Sequence, residues 1–483
     1  MRAAHGELPV RLYERLAHDL EGLIRDGTLR VGARAPSIRG LCRERATSPA
    51  SVVRAYELLE ARGLLQSRAR SGFFVTGPAP APAPARVPRI RRPEHVDVSQ
   101  LVFQILEATR QRDGVPLGSA FPSPELFPLR QLGRHLAFVA QRLDPWSTVE
   151  HLPPGSLALR TQIAQRYRLM GAQVSPEEIV ITAGALEALN LALQVVTAPN
   201  DIVAIEAPSF YGCLQAIEGA GRRAVEIPTS PEQGIDLRAL ERTLRQVPVK
   251  ACWFMTTFHN PLGITMPADS KQQLVQMLAA RAIPLIEDNV YAELFFGKER
   301  PRITKVWDRT GLILDCGSFA KTLAPGYRLG WIAAGRFATA VRNRKITTSL
   351  ATSIPIQAAI SRYLDTGVYD RHLAKLRRTL EQQQAKLICA LENYFPRQCS
   401  WSRPAGGYQL WVQLPQGADA LDLQARALAH DISVAPGPIF SARREFTRAI
   451  RLNYGHPWSA ATERAMKTLG ALVTQQCART RRR

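Results

Sequence analysis

The middle of the chain alternates short apolar runs with amphipathic stretches. The apolar runs are Ile179 to Ile181, Ile202 to Ile205, Ala224 to Ile227, Ala251 to Met255, Pro284 to Ile286, Leu312 to Leu314 and Trp331 to Ala334. Alternation of this kind predicts an α/β fold: a mostly parallel sheet with helices on both faces. From about Ser353 a long helical stretch carries Tyr363, Leu373, Leu380 and Leu387, and a smaller α+β segment follows from Tyr394 to the end.

The first 76 residues keep a different rhythm. Leu12, Leu16, Leu20, Leu23 and Ile24 mark one helix face, and Gly27 and Gly32 bound a turn. Pro36-Ser37 opens a short helix with Ile38 and Leu41 inward. Ser48 caps a third helix whose Val52, Tyr56 and Leu59 repeat at helical spacing, and Gly63 ends it. Leu64 to Val75 reads as a hairpin around Arg70-Ser71-Gly72. Three helices and a β-wing predict a winged helix-turn-helix. Residues 78–93 alternate Pro with Ala and then mix Pro with Arg, which suits a polyproline-II spacer. The expected division is 1–76 for the winged unit, 77–95 for the linker, 96–475 for the large unit with its small-domain part at about 370–475, and 476–483 for a basic tail. Arg479 to Arg483 is expected to be disordered.

Composition adds limits. The 483 residues suit two or three domains, and an apolar fraction of 46% allows a large core. No apolar run reaches the roughly 18 residues of a membrane span, and Met1 to Val10 lacks the apolar core of a signal peptide. The seven cysteines are scattered without C-x-x-C, and the nine histidines show no metal spacing. Neither a disulfide framework nor a metal site is expected, and the compartment is expected to be the reducing cytoplasm. The formal charge of +22 suits a polyanionic partner such as double-stranded DNA, although an arginine-rich proteome would also produce it.

The densest chemistry lies in Gly317-Ser318-Phe319-Ala320-Lys321-Thr322-Leu323-Ala324-Pro325-Gly326-Tyr327-Arg328. The run resembles the pyridoxal-phosphate lysine loop of the fold-type I aminotransferases. A lysine amine forms a Schiff base with the cofactor aldehyde. A serine hydroxyl and a guanidinium fork can hold the phosphate, which gives Ser318 and Arg328 their expected roles. Ser318-Phe319-Ala320-Lys321 also fits the S-x-x-K of serine β-lactamases, but their S-D-N and K-T-G partners do not occur.

The same resemblance extends over roughly residues 115–475 and implies further site residues. Gly184, Ala185 and Leu186 open a helix after a strand, where backbone N–H groups suit a phosphate. Phe210, in Glu206-Ala207-Pro208-Ser209-Phe210, fills the place of an aromatic on the pyridine face. Asn260, in Asn260-Pro261-Leu262-Gly263, is implied to donate to the cofactor's phenolic oxygen, with Tyr291 as a second donor. Asp288 is implied to keep the pyridine nitrogen protonated. Arg451, in Arg451-Leu452-Asn453, resembles the arginine that clamps a substrate α-carboxylate. Val149 to Pro154 lacks the tyrosine that in the family reaches the neighbouring subunit's phosphate.

The first 76 residues resemble the DNA-binding domain of GntR-type regulators. The resemblance rests on Gly27 to Gly32, Pro36-Ser37-Ile38-Arg39-Gly40-Leu41, Ser51 to Tyr56 and Ser71-Gly72-Phe73-Phe74-Val75. It implies Arg39, Ser51, Arg54, Arg70 and Gly72 as DNA contacts, with a recognition helix in the major groove and a wing over phosphates. Ala35 stands where the family has Leu, and Pro49 where it has an arginine that often reads guanine. These departures weaken base specificity and leave phosphate binding intact.

A winged helix joined to an aminotransferase-like domain resembles the MocR subgroup of GntR regulators. That implies a dimeric transcription factor with pyridoxal phosphate as cofactor and an amine or amino acid as effector. An aminotransferase with an accessory DNA-binding domain, and a DNA-binding protein whose large domain only dimerises, remain the alternatives.

Overall fold

The computed structural model describes residues 12–25, 28–29, 32–68, 72–76, 93–108, 114–147 and 152–481. The chain divides into two compact units, Met1–Pro88 and Arg89–Arg483.

In the first unit, helices Leu12–Arg25, Ile38–Glu44 and Pro49–Ala61 precede a hairpin of β1 (Leu65–Arg68) and β2 (Gly72–Val75). Ser37 and Ser48 cap the second and third helices, their hydroxyls accepting the N–H of Gly40 and Ser51. Each such cap is worth about 1 kcal/mol. Pro49 takes the first helical position, where a missing N–H is not missed. Leu16, Ala17, Leu20, Leu41, Val52, Tyr56 and Leu59 close a core, and the Tyr56 hydroxyl donates to Pro36 O at 2.7 Å.

Leu12 departs from expectation. It is 58% exposed, and the inward face begins one turn later at Leu16. The wing also gains an isolated bridge from the chain before the second helix. Ala35 N donates to Phe73 O and Val75 N to Ala33 O, with Arg34 bridged to Phe74. Arg70, at the expected hairpin turn, and residues 77–92 of the expected linker lie outside the described residues.

The second unit is built on nine strands: β3 (Glu94–His95), β4 (Ile179–Thr182), β5 (Ile202–Ala207), β6 (Arg223–Ser230), β7 (Gly234–Ile235), β8 (Val249–Phe254), β9 (Leu285–Asp288), β10 (Ile313–Ser318) and β11 (Gly330–Ala333). Their order is β3-β6-β5-β8-β9-β10-β11-β4, with β7 on β6. From β6 through β10 every pairing is parallel, while β11 is antiparallel to both β10 and β4. All residues of β4, β5, β9 and β10 are buried, as strands covered on both faces must be. Glu94–His95, expected in the linker, instead form an edge strand on β6.

Because β11 reverses twice, β4 runs in the direction of β5, β9 and β10. Thr182, Ala207, Asp288 and Ser318 therefore end their strands on one edge of the sheet. Ligand crevices of open α/β sheets lie at that carboxyl edge.

The helical stretch expected from Ser353 is two helices, Ile354–Asp365 and Val368–Tyr394, broken at Gly367 with φ 67°. A smaller sheet of β12 (Ser400–Trp401), β13 (Gln409–Gln413), β14 (Ala435–Pro436) and β15 (Ala449–Asn453) follows in the order β12-β13-β15-β14. Residues 114–121 return to it: Val115 N donates to Asp431 O, Ser433 N to Val115 O and Asn453 N to Leu117 O. The span expected to start near 370 omits that piece. The last helix, Ala460–Arg481, continues through most of the expected basic tail, and buried Gln476 donates to Asp419 O. Residues 479–481, expected to be disordered, are thus helical, and 482–483 lie outside the described residues. Among the described residues no helix is long and apolar enough to cross a membrane.

Candidate functional site

At the carboxyl edge of the sheet lies a cavity of about 800 Å³, in the size range of small-molecule sites. Lys321, Asp288, Tyr291, Asn260, Ser318 and Arg328 all line it, with Ala185, Leu186 and Phe210. Residues spread over more than 140 positions thus meet in one space.

The lysine loop is fixed at both ends by β10 and β11, which pair Ser318 with Gly330. The Ser318 hydroxyl donates to Leu329 O and accepts from Ala320 N, both at 3.0 Å. Its proton is therefore committed to closing the loop. Lys321 Nζ donates to Ala120 O at 2.9 Å and lies 4.0 Å from the Phe121 ring centroid. Burial pushes its pKa down to about 7; the Asp288 charge works against this, and Arg451 and Arg328 add to it. A lysine so placed is a substantial fraction free amine near neutral pH.

Asp288 ends β9 and is 3% exposed. Burial pushes its carboxyl up to about 7, against the backbone N–H of Val290 and the charge of Lys321. Asn260 Oδ1 accepts from Arg451 Nη1 at 3.0 Å, which turns the amide nitrogen to other acceptors. The Tyr291 hydroxyl accepts from Gln409 Nε2 at 3.1 Å, and its ring meets Tyr408 edge to face at 5.2 Å.

Helix Ala185–Val196 begins with no side chain capping its first N–H groups. Gly184 precedes it at φ 93°, and a Cβ there would stand 2.7 Å from Arg328 Nη2. Only glycine lets the guanidinium close on this turn. Arg328, itself left-handed at φ 47°, donates to Ala183 O at 3.1 Å. The helix start is held from behind: Glu187 accepts from Ala183 N and is paired with buried Lys345 at 3.0 Å. A Cβ on Gly212 would stand 2.5 Å from the Phe210 ring, so the ring needs that glycine to lie where it does.

Arg451 departs from the expected picture. It is fully buried on β15 behind the cavity wall, and Nη2 donates to Gly118 O at 2.7 Å and Ser119 O at 3.2 Å. Burial lowers its pKa from the usual value, and Nε has no partner among the described residues. Its fork is already engaged by the 114–121 segment, so a carboxylate would have to displace those carbonyls. Sequence reasoning missed that segment, as well as Lys345 and Gln409. Gln409 stands two residues past the Gly406-Gly407 pair, and nothing local marks the other two.

In the first unit Arg39 is exposed on helix Ile38–Glu44. The Ser51 hydroxyl lies 3.0 Å from that of Ser48 at the start of the third helix. Arg54 is exposed on that helix, its guanidinium 5.0 Å from the Tyr13 ring centroid. Gly72 opens β2 at φ 93°, and the guanidinium of Arg34 packs 3.4 Å from where its Cβ would be. Arg34 joins the wing without having been expected there.

Comparisons with known proteins match both units. Residues 12–75 match the model "Bacterial regulatory proteins, gntR family", and residues 149–469 match "Aminotransferase class I and II". The chain is 44% identical over 467 residues to the HTH-type transcriptional regulator YdcR of Escherichia coli (strain K12), covering 97% of this chain and 100% of that one. The multiple substrate aminotransferase of Thermococcus profundus superposes with a TM-score of 0.73 at 27% identity, over 78% of this chain and 95% of that one. LysN, the α-aminoadipate aminotransferase of Thermus thermophilus solved with N-(5'-phosphopyridoxyl)-L-leucine, superposes with a TM-score of 0.71 at 28% identity, over 78% and 95%. The chain is a DNA-binding regulator of the GntR family with the MocR-type architecture, and its second unit belongs to the class I and II aminotransferases, whose cofactor is pyridoxal phosphate.

Proposed function

We propose that the second unit binds pyridoxal phosphate at Lys321 and senses an amino compound there, and that a homodimer uses this state to set how its winged helices engage DNA. The observation that carries the reading is one cavity of about 800 Å³ enclosing an amine and a carboxylate, Lys321 and Asp288, both brought to about 7.

The residues present fit the group. Bound there, pyridoxal phosphate supplies an electron sink for bonds at the carbon bearing the substrate amine. The chain's own residues supply the rest. Lys321 offers a lone pair for the aldehyde. Asp288 holds a proton at the pyridine nitrogen. Asn260, its oxygen engaged by Arg451, directs its amide N–H toward the phenolic oxygen together with the Tyr291 hydroxyl. The N–H groups at Gly184, Ala185 and Leu186 and the Arg328 guanidinium hold the phosphate beside Ser318. Phe210 covers a ring face, and Arg451 trades its backbone carbonyls for a carboxylate.

Purified full-length protein should absorb in the visible with pyridoxal phosphate, and borohydride should fix the cofactor on Lys321. Preferential labelling of another lysine would sink the assignment. Lys321→Ala should lose the band and keep the fold.

On the DNA side, residues 1–76 carry binding through Arg39, Ser51, Arg54, Arg70 and Gly72, residues 77–95 act mainly as spacer, and 96–475 carry the cofactor and the dimer contact. Affinity for a two-half-site operator should fall steeply with salt. Arg39→Ala should weaken it, with a salt slope shallower by about one. Specific binding by residues 96–483 alone would overturn the division. Seven unpaired cysteines suit the cytoplasm.

A second reading is favoured by the same cavity: Lys321, Asp288, Asn260 and Tyr291, the groups nearest the chemistry of transamination, all line it. Multiple-turnover assays with amino-acid and keto-acid pairs separate a working transaminase from a sensor.

A further inference from the structure

We infer that the site takes an amino acid with an apolar or aromatic side chain and that Phe121 is the residue that reads it; the inference rests on the cofactor reading above. The Phe121 ring centroid lies 4.0 Å from Lys321 Nζ, the atom at which an incoming amine must exchange. The ring lines the cavity and is 45% exposed. A large aromatic left this open beside a reacting atom offers a face for another apolar group.

The backbone that carries the ring is held in place. Phe121 O accepts from Asn453 Nδ2 at 2.7 Å and lies 3.1 Å from His456 Nε2. The neighbouring Ala120 O accepts from both Lys321 Nζ and the Tyr408 hydroxyl. Asn453 sits two residues beyond Arg451 on β15, so the strand that carries the expected carboxylate fork also anchors the backbone that bears the ring. The distance between a bound α-carboxylate and the side-chain platform is thereby set by one element.

The charges left in the cavity favour the same class. Among the described residues that line it, the charged side chains are Asp288, Lys321 and Arg328, and each has a cofactor role. The cavity wall also includes the apolar Ala120, Met255 and Val290. A side-chain carboxylate or ammonium entering here would give up hydration without gaining an opposite charge. An apolar side chain would instead cover the ring and leave water.

The test is isothermal titration of cofactor-loaded full-length protein with L-leucine, L-phenylalanine, L-glutamate and L-lysine. L-leucine and L-phenylalanine should bind at least about tenfold more tightly than the charged pair, the scale on which apolar pockets discriminate. Phe121→Ala should compress that ratio to about threefold or less, and Phe121→Leu should keep it. Because the readout is a ratio within each variant, a general loss of affinity cancels. Equal affinities, a preference for a charged amino acid, no binding of any of the four, or an unchanged ratio in Phe121→Ala would overturn the inference. Absence of the cofactor's visible band in the unaltered protein would overturn it together with the cofactor reading, and is distinguished by appearing before any amino acid is added.

Discussion

Glu287 and Asp288 are consecutive residues on β9, so their side chains leave opposite faces of the sheet. Each meets a lysine environment, and the two outcomes differ. Glu287 is fully buried, with one oxygen bonded by the Thr256 hydroxyl and the other without a partner among the described residues. Its lysine, Lys271, is also fully buried and donates to Thr257 Oγ1 at 2.6 Å and Arg302 O at 2.8 Å. Burial raises the Glu287 carboxyl and lowers the Lys271 amine. The same physics acts on Asp288 and Lys321. What separates the pairs is room. Asp288 and Lys321 line the cavity of about 800 Å³, whereas Glu287 and Lys271 are not among the residues that line it. Displaced titration is a sign of burial, and it marks a site only where a ligand can reach the displaced group.

The comparison breaks most sharply on stability. Lys271→Ala leaves Glu287 buried without its cation, and should cost about 3–5 kcal/mol. Lys321→Ala should change stability by about 1 kcal/mol or less and abolish covalent cofactor binding. Denaturant unfolding of both cofactor-free variants measures the difference. Equal losses would mean that the cavity lysine is as structural as the core one.

Asp288→Asn comes next. Losing a charge-assisted bond at the pyridine nitrogen should weaken cofactor binding about 10- to 100-fold. The visible band should also change as the ring nitrogen loses its proton. Unaltered affinity and spectrum would move the pyridine partner elsewhere.

Much of this was legible in the sequence because its signals are local. Strands buried on both faces are continuous apolar runs, so the seven strands expected between Ile179 and Ala334 stand close to where they were read. Ser318, Lys321 and Arg328 share one loop whose residue types announce their chemistry. What was not legible depends on distant pairing. The return of residues 114–121 to β15 rests on backbone bonds such as Asn453 N to Leu117 O, and no periodicity in Val115 to Phe121 foretells them. For the same reason the engaged state of Arg451, the seat of Phe121 and the bridge from Arg34 to the wing were missed. The adjacent Glu287 and Asp288 could not be told apart by residue type, because a strand's alternation gives opposite faces without saying which face is hollow.

The pH dependence of cofactor capture sharpens the contrast further. The free amine attacks the aldehyde, and the folded pKa of Lys321 is depressed to about 7. Below that pH the amine is protonated, so the capture rate should fall about tenfold per pH unit, and above about 8 it should level off. An unshifted lysine would keep rising to about pH 10. Stopped-flow absorbance across pH 5.5–10 distinguishes the two curves, and a midpoint near 10 would remove the desolvated amine from the argument.

The smallest effect should come from Asp315, which touches both pairs. It lies on β10, accepts from the Tyr167 hydroxyl and from Asn289 Nδ2, and its charge raises both Glu287 and Asp288. Asp315→Asn keeps the size and an acceptor for Tyr167 while removing the charge. With less repulsion Asp288 ionises more readily, and a more negative Asp288 holds the Lys321 proton more tightly. The capture midpoint should therefore move to higher pH, by roughly half a unit or less given the screening inside proteins. Movement of the capture midpoint to lower pH would show that Asp315 acts on Lys321 by some route other than Asp288.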